Sequence, residues 1–197
     1  MAFEYAVALT GGIATGKSSA TMLLSLYGFR FIDADKITHK ILDESAGSII
    51  NLFGTEYVAD GKVDRGRLGE LIFADKVKRQ DLEALLHPLI YDEIAHLSDE
   101  QDAFKKPYII DIPLFFEGDR YPIEQTIVIY TPREKQLERL MKRDGYEEEE
   151  AQRRIESQMD IEEKRKRATY VIDNSGDLRQ LQRECDRVKD EILLAFS

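Results

Sequence analysis

Tyr5-Ala-Val-Ala-Leu-Thr-Gly-Gly-Ile-Ala-Thr-Gly-Lys-Ser18 is an apolar run that breaks into a glycine turn and resumes in helix-forming residues. Residues 5–9 read as a buried strand, because the run shows no polar alternation. From Gly11 to Ser18 the spacing Gly-x-x-x-x-Gly-Lys-Ser is that of a phosphate-binding loop, with the strand before it and the helix after it that such a loop needs. Glycine lets successive backbone N–H groups turn inward around phosphate oxygens, and the helix N-terminus adds partial positive charge. Gly12, Ile13, Ala14, Thr15, Gly16, Lys17, Ser18 and Ser19 are therefore the expected cradle for a nucleoside triphosphate. Lys17 is expected to meet the β- and γ-phosphates as a point charge, and the Ser18 hydroxyl to ligate Mg²⁺.

Working outward, residues 17–27 have helical apolar spacing and run up to Gly28, a natural C-cap. Residues 29–33 read as a second strand, 35–42 and 48–53 as helices. From Asp64 to about Gln101 apolar residues recur every three or four positions, which predicts two or three helices with Pro88 early in the last. Residues 108–111, 126–130 and 170–173 read as further strands, a long helix follows Pro132, and residues 177–196 form a closing helix. Five short apolar strands alternating with helices imply an α/β fold with one parallel sheet covered on both faces. The stretches 64–101 and 133–167 interrupt that alternation and are the candidates for substrate-binding and lid elements.

Of the 197 residues, 43% are hydrophobic and spread along the chain, so a core can form without a metal or disulfide staple. The one cysteine, Cys185, excludes a disulfide framework or a cysteine-built zinc site and suits a reducing, cytoplasmic compartment. The N-terminus has no signal-peptide pattern, and no apolar run approaches the ~20 residues that span a bilayer. A net charge of −10 argues against nucleic acid or an anionic membrane as partner. That charge is unevenly placed. Residues 133–167 hold 11 basic and 11 acidic side chains, including 7 of the 15 arginines, so the excess acid lies elsewhere.

In open α/β sheets ligands sit beyond the carboxyl ends of the strands. Asp33 and Asp35 follow the second expected strand, and Asp111 ends the third. An acid there can orient an attacking hydroxyl or take its proton, and an acid closing an apolar strand, such as Asp111, can hold Mg²⁺ through water. The sequence allows either division of labour between Asp33 and Asp111. Asp35 reads equally well as the N-cap of a helix beginning at Lys36. Arg139 and Arg143, four apart, share a helix face and can address one phosphate. The later basic residues, Arg153, Arg154 and 164–167, read mostly as a solvated face paired with neighbouring glutamates. His87-Pro88 suits a structural role or a substrate contact equally, His39 reads as an exposed helix residue, and Cys185 as inert packing.

With these residues in place, the chain resembles the dephospho-CoA kinase family. The resemblance begins with Ala8-Leu-Thr-Gly-Gly-Ile-Ala-Thr-Gly-Lys-Ser18 and Asp33-Ala-Asp35, and continues through Asp64-Arg65, Leu68, Phe73, Leu82-Glu83, His87-Pro88 and Asp111-Ile-Pro-Leu-Phe-Phe-Glu117. It extends over Gln136-Leu-Glu-Arg-Leu-Met-Lys-Arg-Asp144, Ala151, Arg154-Ile155, Gln158-Met159, Lys164, Ala168 and Tyr170-Val-Ile-Asp-Asn174, in order over nearly the full length. The loop alone is shared by many kinases and GTPases; Asp-Ala-Asp, His-Pro and Pro-Leu-Phe-Phe-Glu in this order are far more specific.

The resemblance implies a P-loop NTPase-type five-stranded parallel sheet flanked by helices. Its core would be residues 1–59, 102–139 and 168–197, with a helical CoA-substrate insert over 60–101 and a lid over 140–167. It implies an ATP-dependent kinase that, with Mg²⁺, transfers the γ-phosphate to the ribose 3′-hydroxyl of dephospho-CoA, the last step of coenzyme A synthesis. It also implies that Lys17, Asp33 and Arg139 are catalytic, with Asp33 facing the hydroxyl and Arg139 stabilising the transferring charge. Arg143 and Asn174 would join the ATP site, the latter near the adenine. Asp35, Arg65, His87 and Glu117 would lie on the acceptor side, and Ser18 and Asp111 on the metal. Partners beyond ATP and dephospho-CoA are not expected, and the chain is expected to be a monomer or weak homo-oligomer. Two positions depart from the family pattern: Thr169 replaces the acid common after Ala168, and Phe116 a usual leucine before Glu117.

Three other readings compete. A regulatory GTPase needs a guanine-reading Asn-Lys-x-Asp, which the sequence lacks. A nucleoside monophosphate kinase would bring arginines to an acceptor phosphate, which Arg65, Arg67 and Arg79 permit, so the family motifs decide against it. A non-catalytic nucleotide-binding module would keep the loop without the surrounding acids and arginines.

Overall fold

Strand β1 (Ala6–Gly11) is buried along its whole length, and this is why its sequence shows no alternation. In the computed structural model, which describes residues 2–118 and 120–197, it is the central strand of a five-stranded sheet of order β2-β5-β1-β6-β7. The partners are β2 (Phe31–Asp33), β5 (Tyr108–Asp111), β6 (Gln125–Tyr130) and β7 (Tyr170–Asp173). Met1 and Asp119, both inside the expected core segments, lie outside the described residues. The β1 ladders with β5 and β6, and that of β6 with β7, are parallel, with Leu9 opposite Asp111 on one side and Ile127 on the other. Parallel strands bring their carboxyl ends to one edge, so the turn after β1, Asp111 and Asp173 all emerge there.

The chain divides into two units, one formed by residues 1–32 and 98–197 and the other by residues 33–97. In the first, Val7, Leu9, Ile109, Ile127, Ile129 and Ile172 pack on one sheet face against Ala20 and Leu24 of α1 (Lys17–Leu26). The same layer contains Leu181, Cys185, Val188 and Ile192 of α10 (Leu178–Ala195). Residues of the opposite parity face the other way, as a period of two requires. There Val128 and Tyr130 meet Ile161 of α9 (Ile161–Arg167), with Phe116 of the short helix α6 (Phe115–Gly118) against them. Helices α7 (Arg133–Asp144) and α8 (Glu148–Glu156) complete this unit.

The second unit holds α2 (Ala34–Glu44), α3 (Ala46–Phe53), a 3-10 turn over Thr55–Tyr57, a hairpin of β3 (Val58–Ala59) and β4 (Lys62–Val63), α4 (Arg65–Ala74), and most of α5 (Lys76–Asp102). The hairpin turns through Asp60 and Gly61, both at positive φ, the residue types that tolerate it. Two sequence expectations need correction here. Residues 64–101 make two helices, but Pro88 sits deep inside α5 rather than near a start, so the helix continues past one missing N–H bond. The N-cap of α2 is Asp33, whose side chain accepts from Lys36 N at 3.0 Å, while Asp35 is an exposed first-turn residue.

Candidate active site

The loop after β1 turns sharply into α1. Gly16 is its N-cap with φ +85°, and a side chain there would strike the Asn174 carboxamide, so glycine is required twice over. Ala14, at φ +58°, holds a left-handed conformation that costs a non-glycine residue ~1–2 kcal/mol. The surroundings fix this shape. Thr15 O accepts from Asn174 Nδ2 at 2.8 Å and from Thr131 Oγ1 at 3.1 Å, and Thr15 Oγ1 donates to Gly12 O at 2.9 Å. The N–H groups of Ala14 and Gly16 have no acceptor among the described residues, and those of Lys17 and Ser18 open the helix without an intrahelical one. A cavity of about 300 Å³ lies over residues 11–18 and is also lined by Pro113, Arg143 and Gln158.

Lys17 and Asp111, both expected site residues, meet directly, with Nζ donating to Oδ1 at 2.5 Å. Arg139 donates from NH2 to Asn174 O at 2.9 Å and from NH1 to Thr131 Oγ1 at 3.2 Å, beside Gly16. Arg143 lines the cavity and donates to both carboxylate oxygens of Asp144 at 2.8 Å. Those hydrogen bonds raise the guanidinium pKa above its usual value and lower that of the Asp144 carboxyl. Asn174 is buried with its side chain committed to Thr15, so it shapes the loop.

In the unit of residues 33–97, Asp33 pairs with Lys36 at 3.2 Å and Arg65 with Asp43 at 2.7 Å. His87 is half-buried on α5. Glu117, in the first unit, accepts from Met159 N at 3.0 Å and pairs with Lys164 at 2.8 Å.

Lys164 carries part of the family resemblance, but sequence reading assigned it no role in the site. It lies in a charge run that looks like a solvated face, yet it is fully buried, and its ammonium donates to Gly11 O at 2.9 Å and Pro113 O at 3.5 Å besides pairing with Glu117. A signal existed in Ile161, three residues earlier, which faces the sheet and carries position 164 with it. Thr131 and Gln136, both buried beside the loop, gave no such signal. The departing residue Thr169 lies at the amino ends of β6 and β7, away from the cavity, where it exchanges hydrogen bonds with Thr126. Phe116 packs edge-on against Phe115 at 5.3 Å and fills the small second core.

A parallel sheet whose central strand opens into a braced, glycine-built anion cradle, its lysine paired with an aspartate at the end of the neighbouring strand, defines the class of P-loop phosphotransferases. The dephospho-CoA kinase family model matches residues 5–180. A dephospho-CoA kinase of Sulfurimonas denitrificans is 57% identical over 192 residues, covering 98% of this chain and 96% of that protein. One of Wolinella succinogenes is 47% identical over 195 residues, covering 98% and 97%. The solved dephospho-CoA kinase of Campylobacter jejuni superposes with a TM-score of 0.71 at 37% identity, covering 96% of this chain and 98% of that one. The chain belongs to the dephospho-CoA kinase family. No helix among the described residues is long and apolar enough to cross a membrane.

Proposed function

We propose that the protein transfers the γ-phosphate of ATP to the ribose 3′-hydroxyl of dephospho-CoA, giving CoA and ADP, the last step of coenzyme A synthesis. The observation that carries this reading is the loop cavity lined by Lys17, whose ammonium pairs with Asp111, in a chain matched by one kinase family over 176 of its residues, 5–180. In the transfer the hydroxyl oxygen forms a bond to Pγ, the bond from Pγ to the β,γ-bridging oxygen breaks, and the hydroxyl proton passes to a base. Loop residues Gly12 to Ser19 would hold the phosphates through backbone N–H groups and Lys17. Arg139 and Arg143 would meet the charge that develops on the transferring group. Asn174 would act through the loop it braces, with its own segment near the adenine.

Asp33 is our candidate base, supported by its place as the last residue of β2. Asp35, Arg65, His87 and Glu117 are our candidates for acceptor contacts; Arg65 and His87 belong to the proposed substrate-binding insert over 60–101, Asp35 and Glu117 to the core segments, and the proposed lid covers 140–167. Mg²⁺ fits the donors present. Ser18 and Asp111 offer hard oxygen ligands, and no cluster of three or more His, Cys, Asp or Glu among the described residues invites a tighter metal. When bound, Mg²⁺ neutralises charge on the β- and γ-phosphate oxygens. A cytoplasmic, reducing compartment suits the single, buried thiol, and a monomer or weak homo-oligomer is our reading of the assembly.

Steady-state assays with dephospho-CoA, AMP, pantetheine and shikimate test the reading. Mg-ATP should convert dephospho-CoA to CoA with ADP released, and AMP should not be phosphorylated at a comparable rate. A preference for AMP, or no ADP formed with dephospho-CoA, refutes it.

A further inference from the structure

The turn between α8 and α9 is hydrogen-bonded to the phosphate loop. Gln158 Oε1 accepts the Ile13 N–H at 2.8 Å. An N–H can meet only the oxygen of a carboxamide, so the orientation of this side chain is determined, and its NH2 group faces elsewhere. Among the described residues no acceptor meets Nε2. Ile13 belongs to the loop whose amides are shaped for phosphate oxygens, so Gln158 stands where an anion's oxygen would compete for the same hydrogen.

The backbone of this turn is pinned, while the Gln158 side chain is held by its bond to Ile13 N. Met159 N donates to Glu117, Glu117 pairs with the buried Lys164, and Lys164 donates to Gly11 O, the first residue of the loop. That closed chain of bonds ties residues 158–159 to the loop itself. Beyond Gln158 a second cavity of about 170 Å³, which Gly12 and Gln158 line together with the start of α9, gives the carboxamide room to turn. The wall of the larger cavity also includes Pro113, two residues beyond Asp111, at the end of the loop where the transferable phosphate has to lie.

From this geometry we infer that Gln158 is a γ-phosphate-contacting residue: the phosphate takes over the Ile13 N–H, and the displaced carboxamide donates from Nε2 to the same phosphate. The inference rests on the reading of the loop as an ATP site, and it adds a fourth kind of donor to the loop amides, Lys17 and the arginines. It makes Gln158 a sensor for the third phosphate, since ADP presents nothing for Nε2 to meet.

Calorimetric titrations with ADP and with a non-hydrolysable imido analogue of ATP, together with kinetics on dephospho-CoA, provide the test. A hydrogen bond to a charged group corresponds to about a tenfold effect. Q158A is therefore expected to lower kcat/KM for ATP about tenfold with the KM for dephospho-CoA unchanged. Q158E, which sets a carboxylate against the γ-phosphate, is expected to weaken the analogue by more than about tenfold and ADP by less than about threefold. Retained ADP affinity also shows that both variants fold. Equal losses for ADP and analogue, or no loss in either variant, would overturn the role of Gln158 alone. Failure of the unaltered protein to bind either nucleotide would overturn the ATP reading and this inference with it.

Discussion

At the scale of single residues, the Lys17 ammonium has three donors and directs one to Asp111, which leaves two for phosphate oxygens. Asp111 thus aims the lysine as well as neutralising it. Lys17→Ala should leave the fold intact, because the side chain is 24% exposed and serves the cavity rather than the core. The expected loss in kcat/KM is several orders of magnitude, read in a coupled ADP assay, and near-normal turnover would refute the assignment. Asp33 allows a cleaner test than its place in the sequence suggests. It caps α2, and asparagine caps as well as aspartate, so Asp33→Asn should keep the melting temperature. Its ion pair with Lys36 is largely solvated and contributes little. If Asp33 is the base, kcat should fall ~10²–10⁴-fold with nucleotide affinity unchanged, whereas Asp111→Asn should shift the Mg²⁺ dependence. The opposite pattern, with turnover abolished only in Asp111→Asn at saturating Mg²⁺, exchanges the two roles.

At the scale of elements, α9 is held to the sheet by a charge in the interior. Lys164 has no exposed surface, and its partner Glu117 keeps 22% of its side chain in solvent. Lys164→Met would leave that carboxylate with the Met159 N–H but no cation, and remove donors from Gly11 O and Pro113 O. Breaking a buried pair costs about 3–5 kcal/mol, and the partial exposure of Glu117 puts this one at the lower end. A fall in Tm of roughly 6–12 °C is expected by calorimetry, at about 2–4 °C per kcal/mol for a chain of this size; a change within 2 °C would refute the burial argument. The same element shows where sequence reading reaches its limit. The five sheet strands were legible because each is an apolar run bounded by a turn, and the loop because its glycines have fixed spacing. Lys164 was not, since charge content within a local window cannot report which face a tertiary contact buries. The β3–β4 hairpin escaped for another reason: each strand has two residues, too short for any period to register. Pro88 misled because sequence rules weigh its missing N–H, not the packing of Leu82, Leu86, Ile90 and Ile94, which are buried on both sides of it along α5.

At the scale of the whole molecule, the main core of the sheet unit contains its own reporter. Cys185, the one cysteine of the chain, is fully buried among residues of β1, β5, β6, β7, α1 and α10. Burial, reinforced by Asp186 and Glu184, pushes its thiol from 9.0 up to about 12. The thiolate is the reactive form, so at pH 8 the folded chain should resist thiol reagents on grounds of both ionisation and access. It lies on the inward face of α10, so exposing it requires that helix to leave a layer built by segments from both ends of the sequence. Labelling should therefore require cooperative opening, and its rate across a urea series should follow the unfolded population measured by circular dichroism. The sign of the pH effect follows from the same shift. The folded state keeps the proton that the unfolded state releases near pH 9, so this contribution is intact below that pH. It is lost as pH rises from about 9 towards 12, with a limiting slope of about 1.4 kcal/mol per pH unit. Cys185→Ala should make the alkaline loss shallower, leaving the part due to Tyr108 and Tyr170, whose phenols burial also pushes up, while costing some stability at neutral pH through the smaller side chain. Rapid labelling at pH 8 without denaturant, or an alkaline slope as steep in Cys185→Ala as in the unaltered chain, would show that the thiol is not sealed in the core.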